Sequence, residues 1–303
     1  MMKKLFFPLI FIAGLSLLLM NACEDNNGTN ENTGRLHLSI TDAPIDQYDV
    51  TGVFITVTEV QIHKGGSDWQ VIEEFEGPVT YNLLELTHGI SELMAVTELP
   101  AGVYTQIRFM LDAPENVGQG NHANPGCYLE FADGSTEPLF VPSGGQTGYK
   151  AIGNFSVPVN GDVHVTADFD VRKSVVVAGN SGKFILKPTI RLVVDDEAGT
   201  ISGSVINIED GTGVVVYAYE AGTYQANEAA DPAPDTPRFP NAVSSDMVGE
   251  QNNFKVPFLA PGLYDLVVAS AVDGAFRNVE GIVTGVEVVS RENTVVQIDI
   301  LEL

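Results

Sequence analysis

Val163-His164-Val165-Thr166-Ala167-Asp168-Phe169-Asp170-Val171 carries an apolar side chain at every second position. A period of two is the signature of a strand that buries one face, because successive side chains point to opposite sides of the backbone. The same alternation runs through Leu36, Leu38 and Ile40, through Val53, Ile55 and Val57, and through Val103, Thr105, Ile107, Phe109 and Leu111. After Val57 the apolar phase shifts to Val60 and Ile62, which predicts a bulge or bend near Thr58-Glu59. Turn signals separate these runs at Gly65-Gly66, Gly77-Pro78, Pro100-Ala101-Gly102, Pro142-Ser143-Gly144-Gly145 and Pro261-Gly262. Many short strands punctuated in this way predict an all-β protein built from β-sandwiches or barrels.

Two segments depart from the pattern. Between residues 82 and 96, Leu83, Leu86, Ile90, Leu93 and Met94 are spaced for a short helix or helical turns, with Gly89 as a breaker. Residues 220–246, rich in Ala, Asp and Pro, read as a long loop inserted between strands. A composition shift at Asp195-Asp196-Glu197-Ala198-Gly199 places a domain boundary there, giving one sandwich over 34–196 and a second over 197–303. The two share a turn that feeds a strand, Leu99-Pro100-Ala101-Gly102-Val103-Tyr104 in one and Leu259-Ala260-Pro261-Gly262-Leu263-Tyr264 in the other. This suggests a related plan.

At the other end, Lys3 and Lys4 precede an apolar run over residues 5–20 and a small-residue site at Ala22-Cys23, the three-part layout of an export signal. As a helix that run would cover about 24 Å of a hydrocarbon core about 30 Å thick, and Pro8 and Gly14 interrupt it, so a permanent span is the weaker reading. The cysteine just after the run resembles the lipobox of bacterial lipoproteins. That resemblance implies a signal peptide over 1–22 and a lipidated Cys23 as the mature N-terminus. Met20 and Asn21 stand where Leu and a small residue are commoner, while Leu17 to Leu19 and Ala22 fit. Glu24 to Thr33 contains no apolar residue, so 23–33 is expected to be a flexible tether. The pair Glu24-Asp25 resembles the export signals of surface lipoproteins in the Bacteroidetes group.

The 303 residues include two cysteines, and with lipid on Cys23, Cys127 has no partner for a disulfide. Stability must then come from hydrophobic cores. The formal charge is −25, and loss of Lys3 and Lys4 with a leader makes the balance more negative still. Nucleic acid is not expected as a partner on that ground. Solubility accounts for the acidity, with cation binding or a basic partner as the sharper alternatives; the acids are scattered, not set in calcium-loop spacing.

Signatures of catalysis are missing. No Gly-x-Ser-x-Gly occurs. Gly179-Asn180-Ser181-Gly182-Lys183 lacks the glycine spacing and the following Ser or Thr of a phosphate loop and reads as a hairpin turn. His37, His63, His88, His122 and His164 show no paired metal-ligand spacing. His164, Asp168 and Asp170 share the polar face of one strand, with neighbouring same-face positions about 7 Å apart. They read as a solvated or salt-bridged face near Arg172 and Lys173, with a metal site as the minor alternative. Trp69, the one Trp, reads as core or rim packing; Cys127 as a spare small residue; Tyr104 and Tyr264 as local packing or hydrogen-bonding groups. No catalytic residue, metal site or cofactor is indicated.

One set of motifs resembles a known family. Gly34 to Ile40 with Thr41-Asp42-Ala43-Pro44, then Tyr81-Asn82-Leu83-Leu84-Glu85-Leu86, Leu99 to Arg108, Pro142-Ser143-Gly144, Asp168-Phe169-Asp170 and Leu186-Lys187-Pro188 resemble the domain-of-unknown-function family numbered 4382. The resemblance covers about residues 34–194 and implies a bacterial envelope lipoprotein, with no activity attached. Residues 200–303 resemble a carboxypeptidase regulatory-like domain, a transthyretin-type (prealbumin-like) sandwich. The carrying residues are Ile201 to Val205, Gly213 to Val216, Phe254, Leu259 to Leu266 and Val295 to Ile300, with Asn253-Phe254 in place of the commoner Gly-x-Phe. The expectation is a non-enzymatic binding or adhesion-type protein, held to the membrane of the cell envelope by its N-terminal lipid, with a glycan or protein ligand. The alternative is a carbohydrate-binding accessory lipoprotein of a surface glycan uptake system. The outer membrane is the expected site.

Overall fold

A computed structural model describes residues 32–43, 50–113, 126–142, 147–178, 182–187, 189–233 and 236–303. The export signal, Cys23, most of the tether and His122 lie outside them.

The alternating segments are strands. β1 (Thr33–Ala43), β2 (Val50–Lys64), β3 (Trp69–Val71), β4 (Val79–Asn82), β5 (Glu92–Pro100), β6 (Gly102–Leu111), β7 (Tyr128–Phe131), β8 (Thr136–Phe140), β9 (Tyr149–Val157), β10 (Asp162–Asp170), β11 (Val175–Ala178), β12 (Lys183–Leu186) and β13 (Ile190–Val194) join in one 13-stranded sheet. The order is β11-β12-β8-β7-β2-β6-β9-β13-β10-β1-β5, with β3 and β4 also paired to β2. Two strands, β9 and β13, separate β6 from β10, so side chains on them would stand about 14 Å apart in a flat sheet. Phe109 of β6 and Phe169 of β10 instead have ring centroids 5.6 Å apart. The sheet therefore curls its inner face onto itself, and Leu38, Ile62, Ile107 and Val165 meet in one core with no exposure. The predicted bulge is present, as the β2–β6 register shifts between Val57 and Glu59.

The helical reading of 82–96 is corrected. Leu83–Leu86 makes one 3-10 turn, His88 and Gly89 take φ of 56° and 79°, and from Glu92 the chain is strand β5. A register shift against β1 at Leu38/Ser39 turns both Met94 and Ala95 inward, which breaks the alternation and mimics helical spacing.

The second half forms a separate sandwich. β14 (Gly199–Ile206), β15 (Thr212–Glu220), β16 (Ser244–Met247), β17 (Asn253–Leu259), β18 (Gly262–Val272), β19 (Ala275–Val288) and β20 (Asn293–Asp299) make a three-stranded sheet, β17-β14-β20, and a four-stranded sheet, β16-β15-β18-β19. Val205, Val216, Val256, Leu266, Val268 and Ile298 fill the space between them. Within the three-stranded sheet Gly203 lets β20 lie close to β14, since a Cβ there would lie 1.8 Å from the Val296 carbonyl oxygen. The long loop after β15 packs on the outer face of the four-stranded sheet, where Phe239 is fully buried 4.4 Å from Tyr217. Its last residues, Ser244–Met247, pair with β15 as a strand rather than continuing as loop. Residues 32–303 make one compact unit.

Candidate functional site

β1 and β10 run parallel, in a register that sets Thr41 beside Asp168 and Ala43 beside Asp170. Phe169 turns into the core, so Asp168 and Asp170 turn to the outer face. The second half covers that part of the sheet. Both aspartates are 4% exposed, so of the two alternatives, a solvated or a salt-bridged face, the second holds. The expected cations are in place: Asp170 Oδ2 lies 3.3 Å from Arg172 Nη2 and 3.2 Å from Lys173 Nζ, and its Oδ1 accepts from the Lys173 amide, capping the helical turn Val171–Ser174. Arg172 Nη1 donates to the Phe239 carbonyl at 2.6 Å, and Lys173 Nζ to the Ala242 carbonyl at 2.6 Å. Asp168 pairs with Arg191 of β13, whose Nη1 donates to the Phe258 carbonyl at 3.3 Å.

A third bridge closes the seam between the halves. The Thr41 hydroxyl lies 2.9 Å from the Leu86 carbonyl and 2.6 Å from that of Ile90, fixing the turn that carries His88. His88 Nδ1 then meets Asp246 Oδ2 at 2.8 Å, and the same oxygen accepts from the Lys255 amide at 2.7 Å. The Asp246 hydrogen bond raises the His88 pKa, against a smaller opposing effect of burial. Burial pushes Asp42 well above the usual carboxylate range, despite the Val171 amide that its Oδ1 accepts at 3.0 Å. Burial also raises Asp168, with Arg191 opposing, and lowers Lys173, with Asp170 opposing. Such groups are spent on neutralising and hydrogen-bonding one another; the seam is a joint. Arg191 and the carbonyls of the 221–243 loop were not foreseen, because distant segments supply them.

The remaining sequence candidates fall elsewhere. Cys127 is fully buried and its thiol is pushed up to about 12 by desolvation. The strands β11 and β12 pair as a hairpin across the Gly179–Lys183 segment, of which 179–181 lie outside the described residues. His164 is not grouped with Asp168 and Asp170; it stacks on His37 with centroids 4.3 Å apart and lies near Asp195, whose charged form it favours. Among the described residues no group of three or more His, Cys, Asp or Glu is placed to hold a metal ion. Tyr104 and Tyr264 make the same bond in the two halves, each hydroxyl donating at 2.9 Å to the carbonyl four residues before it, Pro100 and Ala260. Trp69 sits half-buried on the outer face of the large sheet, with Arg108 4.3 Å and Lys150 6.0 Å from its ring centroid. Arg108 and Lys150 were legible only as outward positions of alternating strands.

The fold and the seam define an all-β protein of two sandwiches whose motif residues hold the structure together. Residues 33–188 match the family described as Domain of unknown function (DUF4382), and the chain belongs to that family. No curated protein matches it. Among solved structures it is similar to the TIE protein of Bacillus anthracis (12% identity, TM-score 0.21), covering 88% of this chain and 33% of that one. It is also similar to GBS52, the minor pilin of Streptococcus agalactiae (12%, TM-score 0.22, 88% and 94%), and to BcpA, the major pilin subunit of Bacillus cereus (9%, TM-score 0.22, 88% and 99%). At these scores the superpositions are too loose to carry function across. No helix among the described residues is long and apolar enough to cross a membrane.

Proposed function

We propose that this chain is a non-enzymatic binding or adhesion-type protein of the bacterial cell envelope, anchored through lipid on Cys23 and presenting two sandwich domains, 34–196 and 197–303, beyond a polar tether. The observation that carries the reading is the use made of the reactive groups. Asp168, Asp170, Lys173 and His88 are engaged in the seam, and the one described thiol is inert by burial. An array of glycans and envelope proteins, probed with the full chain, tests it by selective retention. Turnover in a panel of hydrolase substrates, abolished by a point mutation, would overturn it.

The second reading is a carbohydrate-binding accessory lipoprotein of a surface glycan uptake system. Trp69 on an open sheet face favours it, since an indole ring offers an apolar surface to a sugar. Glycan hits that compete with one another and vanish on Trp69→Ala would select this reading over adhesion to protein.

A further inference from the structure

The outer face of the large sheet is unequally used. Over β1, β10 and β13 it is sealed by the second half, through Arg172, Lys173 and Arg191. Over β2, β3, β6 and β9 it is open. There the register aligns two rungs: Trp69, His63, Gln106 and Ile152 in one, and Val71, Gln61, Arg108 and Lys150 in the other. Ile152 is 74% exposed, a β-branched apolar residue left in water beside the Trp rung.

The charge on these rungs is unusual for the chain. Arg35, Arg172, Arg191, Arg238, Arg277 and Arg291 each pair with an aspartate or glutamate, as expected where acids outnumber bases 40 to 15. Arg108 has no carboxylate partner among the described residues. Its Nε donates to Gln61 Oε1 at 3.0 Å, its Nη2 reaches the same oxygen, and its plane lies over Trp69. Gln61 in turn donates to Glu59, so that carboxylate enters the network only through an amide. Lys150, directly across from Arg108 and exposed, has no ion pair among the described residues either. A guanidinium fixed in place by an amide and an indole, with Nη1 making no hydrogen bond among the described residues, is pre-organised for an anion.

We propose that this face binds an anionic polysaccharide, its carboxylate or sulfate groups on Arg108 Nη1 and Lys150 Nζ and its sugar rings against Trp69 and Ile152. The proposal rests on the reading of the chain as a binding protein. A saccharide fits better than an acidic peptide, because β6 and β9, which carry Arg108, Lys150 and Ile152, are paired on both sides and, of the strands in these rungs, only the three-residue β3 leaves an open edge for an added strand. The attraction is local to these two cations, since the chain's net charge of −25 repels a polyanion at long range, and their direct contacts weaken with salt.

The test is affinity electrophoresis and calorimetry of the full chain with polygalacturonate and with dextran sulfate, which separate carboxylate from sulfate, and with polyglutamate and neutral dextran. Binding of either anionic polysaccharide in preference to neutral dextran and polyglutamate, weakened about tenfold or more by Arg108→Gln, is expected. Lys150→Gln, at an exposed position whose loss leaves the fold intact, should give a similar loss at unchanged melting temperature. Failure of both polysaccharides to bind, or binding indifferent to both substitutions, overturns the proposal. Polyglutamate bound as tightly through the same residues overturns it in favour of an acidic peptide. A neutral glycan or protein retained equally by Arg108→Gln would sink this site while leaving the wider binding reading standing.

Discussion

At the scale of single residues, the seam separates interactions that are strong from those that are only well placed. Arg172 and Asp170 are both almost fully buried, so Arg172→Ala leaves a carboxylate without its guanidinium and two carbonyls without their donor. Lys173 still faces Asp170, so loss of about 2–3 kcal/mol is expected, read as a lower denaturation midpoint in urea. His88 is half exposed, and its bond to Asp246 is correspondingly screened. Because Asp246 raises its pKa in the folded chain, the contact stabilises most below the ordinary value of 6.5 and fades as pH rises through the folded value. The melting temperature of the wild type should therefore exceed that of His88→Gln at about pH 5.5 by more than it does at alkaline pH. A gap that widened toward alkaline pH would contradict the assignment.

At the scale of elements, the strands were legible and their coverings were not. Alternation around Val163 to Val171 gives the inward set correctly, and the Val57 to Val60 phase shift announces its bulge. Period two says which face a residue takes, but not whether water or another element lies against that face; this is why Asp168 and Asp170 read as solvated or salt-bridged, of which the ion pairs are present and the solvent is not. Where two consecutive residues turn inward, as at Met94-Ala95, the pattern itself misleads. The same distinction bears on the second sandwich. Residues 197–303 carry their own core between two sheets, so that fragment is expected to show β-type circular dichroism and cooperative melting. It should melt below the full chain, because the carbonyls of Phe239 and Ala242 lose the donors Arg172 and Lys173. Gradual melting would place the domain boundary elsewhere.

At the scale of the whole molecule, the proposed attachment depends on Cys23, which lies outside the described residues. Cys23→Ala is expected to move the protein from the membrane pellet to the soluble fraction, since lipid supplies the anchoring and no described helix can replace it. Persistence in membranes after a high-salt wash would refute this. Surface display predicts digestion by protease added to intact cells, with protection restored when Glu24 and Asp25 become Ala. On the proposed acylation of the Cys23 sulfur, Cys127 would be left as the only free thiol, closed off beneath the curled sheet and with its ionisation pushed up to about 12. An alkylating dye can then react only when that core opens. The chain carries its own clock for opening: the labelling rate of one native cysteine times how often the larger sandwich comes apart, on cells as well as in solution.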